Sequence, residues 1–162
     1  MKILVLSDSH GNCDNMRRAI ELEQPDHVFH LGDHSDDVRI LRREYPMLPI
    51  ASVRGNCDWT DKTTPDSVQA VLDGVSIWAV HGHLYGVKGG LLRFSYAAKE
   101  KAVRVALFGH THCPYCEEHD GIWFLNPGSC AYGIVVNYGI IETSCGEVRC
   151  LSRSFNERSE DL

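Results

Sequence analysis

Residues 2–10 read Lys-Ile-Leu-Val-Leu-Ser-Asp-Ser-His. Ile3 to Leu6 form a continuous aliphatic run, the pattern of a strand buried on both faces. The run stops at Ser7 and delivers Asp8 and His10, two metal-ligating side chains, at its carboxyl end. The same ending recurs downstream. His27–Leu31 reads as a strand running into Gly32-Asp33, and Ile50–Val53 as one running into Arg54-Gly55-Asn56-Cys57-Asp58. Val75–Val80 runs into His81-Gly82-His83, and Val103–Phe108 into Gly109-His110-Thr111-His112. Glycine at such points lets the backbone turn sharply and approach a ligand closely.

Helical segments separate the first three strands. Asn12 or Asp14 can cap a helix carrying Met16, Ala19, Ile20 and Glu23, broken by Pro25-Asp26. Asp36 or Asp37 can cap a second, carrying Val38, Leu41 and Tyr45 and ended by Pro46. The second half is richer in strands. Val68–Leu72 and Val75–Val80 flank an Asp73-Gly74 turn, and Tyr115–His119 and Ile122–Leu125 flank Asp120-Gly121. A helix is expected within Gly90–Lys101, and late strands over Gly133–Glu142 and Glu147–Arg153. Alternating β and α units followed by hairpins predict an α/β domain of two face-to-face sheets with helices outside. Residues 1–153 read as one domain and 154–162 as a polar tail.

Composition narrows the function classes. The 162 residues are 43% hydrophobic and 23% charged, an ordinary globular balance rather than a disordered one. A chain this long buries about 70% of its unfolded surface and needs no disulfide or structural metal to fold. A net charge of −6 argues against long nucleic acid or an anionic membrane as partner. It leaves a phosphorylated substrate open, because bound cations supply positive charge locally. No stretch approaches a membrane span, and the first residues lack the core and cleavage site of a secretion signal. The seven cysteines therefore read as reduced thiols of a cytoplasmic protein.

Imidazole, carboxylate and amide oxygen together suit manganese, iron, zinc, nickel or cobalt. A lone Asp after a strand is usually a helix cap, and a lone His usually structural. Five such endings in one domain are not explained that way, because His-Gly-His and Gly-His-Thr-His do not favour helix starts. The seven groups Asp8, His10, Asp33, Asn56, His81, His110 and His112 are too many for one ion. Two ions about 3.5–4 Å apart, sharing a carboxylate, would use them all.

Asp8-Ser9-His10, Gly32-Asp33, Gly55-Asn56-Cys57-Asp58, His81-Gly82-His83 and Gly109-His110-Thr111-His112 occur in the order seen in the calcineurin-like metallophosphoesterase superfamily. From Lys2 to about Arg153 the chain resembles the small single-domain YfcE-type phosphodiesterases. The resemblance implies a four-layer αββα sandwich with two divalent ions, manganese foremost. Asp8, His10 and His112 would hold the first ion, Asn56, His81 and His110 the second, and Asp33 would bridge them. It further implies in-line attack on a small phosphodiester by a hydroxide bridging the two ions, with phosphomonoesterase activity as an alternative. Asn12 and Cys57 are candidate substrate contacts.

Many superfamily members carry His where this chain has Cys57, although the YfcE-type subgroup tends to Cys. A neutral thiol is a weak donor and supplies no imidazolium charge. Asn56, Asp58 and His83 are therefore the candidate catalytic set. His83 reads as a proton donor or as a partner steadying a ligand. Asp58 reads as orienting Asn56 or pairing with Arg54. Asn126-Pro127-Gly128-Ser129 reads as a turn, which the resemblance places near the metals in support of His112.

Two other signals weigh less. Cys113-Pro114-Tyr115-Cys116 has a redox spacing, but such pairs sit at helix N-termini, and here a hairpin is expected. The rival function is a metal-free protein-interaction scaffold on the same fold, like the retromer subunit that resembles these enzymes. That reading predicts damaged ligand positions, whereas all seven here hold competent ligands. With no inserted cap apparent, the site is expected to be shallow and open to small phosphate esters. The resemblance also admits a homo-oligomer.

Overall fold

The computed structural model describes residues 1–131 and 135–155. Among them, ten strands form two five-stranded sheets, accompanied by three α-helices. The first sheet has the order β10(Glu147–Ser154), β9(Asn137–Ser144), β1(Lys2–Leu6), β2(His27–His30), β3(Ile50–Ser52). The second has the order β4(Ser67–Leu72), β5(Val75–Val80), β6(Val105–Leu107), β8(Ile122–Asn126), β7(Tyr115–His119). β1–β2–β3 are parallel, as are β5–β6–β8. Antiparallel strands flank each set.

The layers follow from which face each strand buries. Alternate residues of β1 point opposite ways. Ile3 and Val5 join Phe29, Ile77, Val105 and Leu125 in a core between the sheets. Leu4 and Leu6 pack outward on Met16, Ala19 and Ile20 of α1(Cys13–Glu23) and Leu41 of α2(Ser35–Glu44). On the other side Trp78, Phe108 and Phe124 pack under Phe94 and Ala98 of α3(Leu92–Glu100). The result is the expected four-layer αββα sandwich.

Local chemistry explains the boundaries. Asn12 caps α1, its Oδ1 accepting the Asn15 N–H at 3.2 Å. The hairpin turns Asp73-Gly74 and Asp120-Gly121 take φ of 47°/77° and 52°/78°, the primed geometry that matches strand twist. The start of α2 differs from expectation. Its N-cap is His34, at φ 87°, and Asp36 and Asp37 lie in the first turn rather than capping it. Asp58 supplies the missing acceptor from a distance, taking the His34 and Ser35 N–H groups at 2.8 Å each. Late strand β9 begins at Asn137; Gly133 and Ile134, where the pattern places its start, fall outside the described residues. Ser154 ends β10 and Phe155 packs on Tyr138, while the rest of the polar tail, 156–162, also falls outside.

Candidate metal centre

The carboxyl ends of β1, β2, β3, β5 and β6 meet at one edge of the sandwich, where ligands bind in open α/β sheets. Five of the seven candidate ligands leave their strands in the left-handed conformation: Asp8, His10, Asp33, His110 and His112, at φ 54°, 46°, 60°, 68° and 60°. Non-glycine residues held there cost of order 1 kcal/mol each and cluster at functional sites. Two glycines make this crowding workable. A Cβ on Gly55 would collide with Asp33 Oδ1, and one on Gly109 with Ser7 Oγ.

Ligating atoms of Asp8, His10, Asp33 and His112 lie within 4.8 Å of one another. Asp8 Oδ1 is buried, has no hydrogen bond among the described residues and lies 3.1 Å from His112 Nε2. Its other oxygen accepts from Ser7 Oγ at 2.5 Å and the His110 N–H at 3.1 Å. A second convergence centres on His81 Nε2, which lies 3.0 Å from Asn56 Oδ1, 3.2 Å from His110 Nδ1 and 3.6 Å from Asp33 Oδ2. Asp33 Oδ2 is also 3.9 Å from His10 Nε2, so one carboxylate oxygen stands between the two groups. An orphaned buried carboxylate oxygen facing clustered imidazole nitrogens is a donor set that fits divalent cations.

Neighbouring groups orient these ligands. His81 Nδ1 lies 2.7 Å from the Leu31 carbonyl; donating there leaves Nε2 as the lone-pair atom facing the cluster. Burial alone would raise the Asp33 carboxyl, but the Cys57 N–H at 2.8 Å and nearby His81 outweigh it and hold it below the usual range. Burial, with His81 nearby, pushes the His110 imidazole down.

The two carboxylates behind the ligands are the main surprise. Asp58 accepts Asp33 and Gly55 N–H on Oδ2, each at 2.9 Å, and His34 and Ser35 N–H on Oδ1. It ties the β2 and β3 loops together and does not pair with Arg54, whose guanidinium binds Asp66 at 2.7 Å. Asp37 reaches from α2 to the first loop, accepting Ser9 Oγ at 2.7 Å and Gly11 N–H at 2.8 Å. His30 Nε2 meets the same Ser9 hydroxyl at 3.0 Å, and burial lowers this imidazole to about 4. The sequence showed Asp37 only as a polar residue near a helix start and gave no sign of this reach.

Other expected residues fall as follows. His83 sits tilted beside the set, its ring 5.3 Å from that of His81 and 6.1 Å from that of His110, with a buried Nδ1 that has no hydrogen-bond partner among the described residues. Asn12 is spent on its helix cap and is 3% exposed. Cys57 is exposed and accepts from Asn56 Nδ2 at 3.4 Å. Asn126 Nδ2 donates to Gly109 O at 3.1 Å and Thr111 Oγ1 at 2.8 Å, bracing the turn that carries His110 and His112. Cys113 is exposed, whereas Cys116 lies on β7 and packs into the inter-sheet core, so this pair does not open a helix.

The calcineurin-like phosphoesterase superfamily domain matches residues 1–144, and the chain belongs to that superfamily. It is 33% identical to the probable metallophosphoesterase YsnB of Bacillus subtilis, over all of this chain and 96% of that protein. It is 28% identical to the phosphodiesterase YfcE of Escherichia coli K12, over 94% and 93% of the two chains. Among solved structures, a single mutant of Vps29 from Entamoeba histolytica superposes with a TM-score of 0.75 at 22% identity, covering 96% of this chain and all of that one. That last likeness carries the fold alone. The protein is a phosphoesterase of a metal-dependent family, and among its described residues no helix is long and apolar enough to cross a membrane.

Proposed function

We propose that the protein is a cytoplasmic phosphodiesterase acting on small phosphodiesters with two divalent cations, manganese foremost. The observation that carries this is Asp33 Oδ2, set 3.9 Å from His10 Nε2 and 3.6 Å from His81 Nε2. Asp8, His10 and His112 would hold one ion, Asn56, His81 and His110 the other, with Asp33 common to both. When bound, such ions acidify water near neutral pH and offset the charge of the phosphate.

The chain's own residues supply position. The Cys57 N–H holds Asp33 Oδ1, leaving Oδ2 for the cluster. The Leu31 carbonyl sets the face His81 presents. Asp58 acts through the backbone rather than on substrate, since both its oxygens are taken by N–H groups. His83, beside His81 and His110, is the side chain assigned to deliver a proton to a poor leaving group. In-line displacement at phosphorus needs no protein nucleophile. The scaffold alternative gains nothing from this geometry, because a docking surface has no use for seven converging ligand groups.

The test is hydrolysis of bis(p-nitrophenyl) phosphate by metal-stripped protein. Turnover restored by manganese, and absent in folded Asp33→Asn, is the expected result. A folded wild type inactive with every divalent metal and every small diester would overturn the proposal.

A further inference from the structure

A cavity of about 240 Å³ opens beside the metal centre, between the start of α2 and the loop after β3. His34, Asp36, Arg39, Cys57, Thr60 and Asp61 line it. Two of its lining residues adjoin the candidate ligands. Cys57, on its wall, donates its N–H to Asp33 Oδ1 at 2.8 Å. His34 follows Asp33 directly, with its ring 6.5 Å from that of His10. A phosphoryl group held at the centre would therefore direct one ester substituent into this cavity.

The lining says what that substituent is. It contains no aliphatic or aromatic hydrocarbon side chain. Arg39 is half exposed; its Nη1 binds Asp36, while its Nη2 stays 3.5 Å from Asp61 Oδ2 and keeps donor capacity. The Thr60 hydroxyl makes no hydrogen bond among the described residues. An apolar arm would strip water from these groups and return nothing, a large penalty for the wrong substrate. Carboxylates outnumber guanidinium groups on the wall, so a second anionic group is disfavoured. The volume falls just under the roughly 300 Å³ at which drug-sized ligand pockets begin, which suits a small group.

Resting on the phosphodiesterase reading above, we propose that this cavity is the subsite for the second ester arm. The arm is neutral and hydroxyl-bearing, of glycerol to pentose size. Arg39 and Thr60 donate to its oxygens, and Asp36 accepts from its hydroxyls.

The test compares glyceryl and propyl p-nitrophenyl phosphates with manganese-loaded protein. The two share a leaving group and differ by two hydroxyls, and phosphorus NMR must show glycerol phosphate as the product rather than the cyclic 1,2-phosphate that attack by the arm's own hydroxyl would give. The expected preference for the glyceryl ester in kcat/KM is at least about tenfold, expressed mainly in KM. Arg39→Gln and Thr60→Val, each checked for native circular dichroism, should each cut that preference severalfold. Calorimetric titration with glyceryl and propyl methylphosphonates, with phosphorus NMR of the titrated samples showing them unhydrolysed, should give the same ranking. Equal kcat/KM for the two esters, or an unchanged ratio in both variants, would overturn the subsite while leaving phosphodiester hydrolysis intact. Release of nitrophenol from neither ester would remove the underlying reading instead.

Discussion

Replacing Asp58 by Asn tests the claim that a carboxylate behind the ligands assembles the site. Asp58 makes two chelated pairs of backbone bonds, Asp33 and Gly55 N–H on one oxygen and His34 and Ser35 N–H on the other. Asparagine keeps one accepting oxygen and sets an NH₂ group against the other pair. Hydrogen bonds to a charged acceptor are worth about 1.5–3 kcal/mol each, so losing one pair costs about 3–6 kcal/mol. That is a large share of the roughly 5–15 kcal/mol by which a domain is stable. Urea unfolding of metal-free protein reads it directly, with an unchanged m-value showing that the denatured state is not the cause. The second readout is manganese affinity in the still-folded variant, expected to fall because Asp33 and Asn56 lie on the two loops that Asp58 joins. A loss of stability under about 1 kcal/mol, with manganese affinity at the wild-type value, would refute the reasoning.

Three further outcomes follow from the same geometry. Gly55→Ala drives a Cβ into Asp33 Oδ1 and should weaken manganese binding by about 10–100-fold, as disturbed ligand supports do; wild-type affinity in a titration would contradict it. His83→Gln should slow an alkyl leaving group by about 100-fold or more and p-nitrophenolate far less, because only the alkoxide needs a proton; equal slowing of both would count against a proton-donor role. His30 is held neutral by burial, at about 4 against 6.5 unfolded, so acid favours the unfolded chain as pH falls from 6.5 towards 4. His30→Gln should therefore lose roughly 2 kcal/mol less stability than wild type between pH 7 and 4.5, and parallel stability curves would show that His30 is not the titrating group.

The strands and their ligand-bearing ends were legible from local pattern alone. Ile3–Leu6 cannot face water, and a strand that ends in Asp8 and His10 carries those residues wherever it goes. The primed turns at Asp73-Gly74 and Asp120-Gly121 were equally readable, because left-handed backbone at both turn residues selects Asp-Gly. The cap of α2 was not. A helix start whose N–H groups are satisfied by Asp58, some twenty residues on, looks locally like a helix with spare acids.

The sequence by itself determined which side chains can bind metal and the order in which strands present them, since ligand chemistry belongs to residue types and strand ends to hydrophobic runs. Only the tertiary structure decided how they meet. Asp33 Oδ2 falls between His10 and His81 because two sheets pack face to face, and no local pattern encodes that distance. The side-by-side pairing of β1, β2 and β3 within the first sheet gives Asp58 and Asp37 their partners and sets the Arg39 cavity against the site. Such contacts join residues remote in the chain, and their geometry exists only once the intervening core has formed.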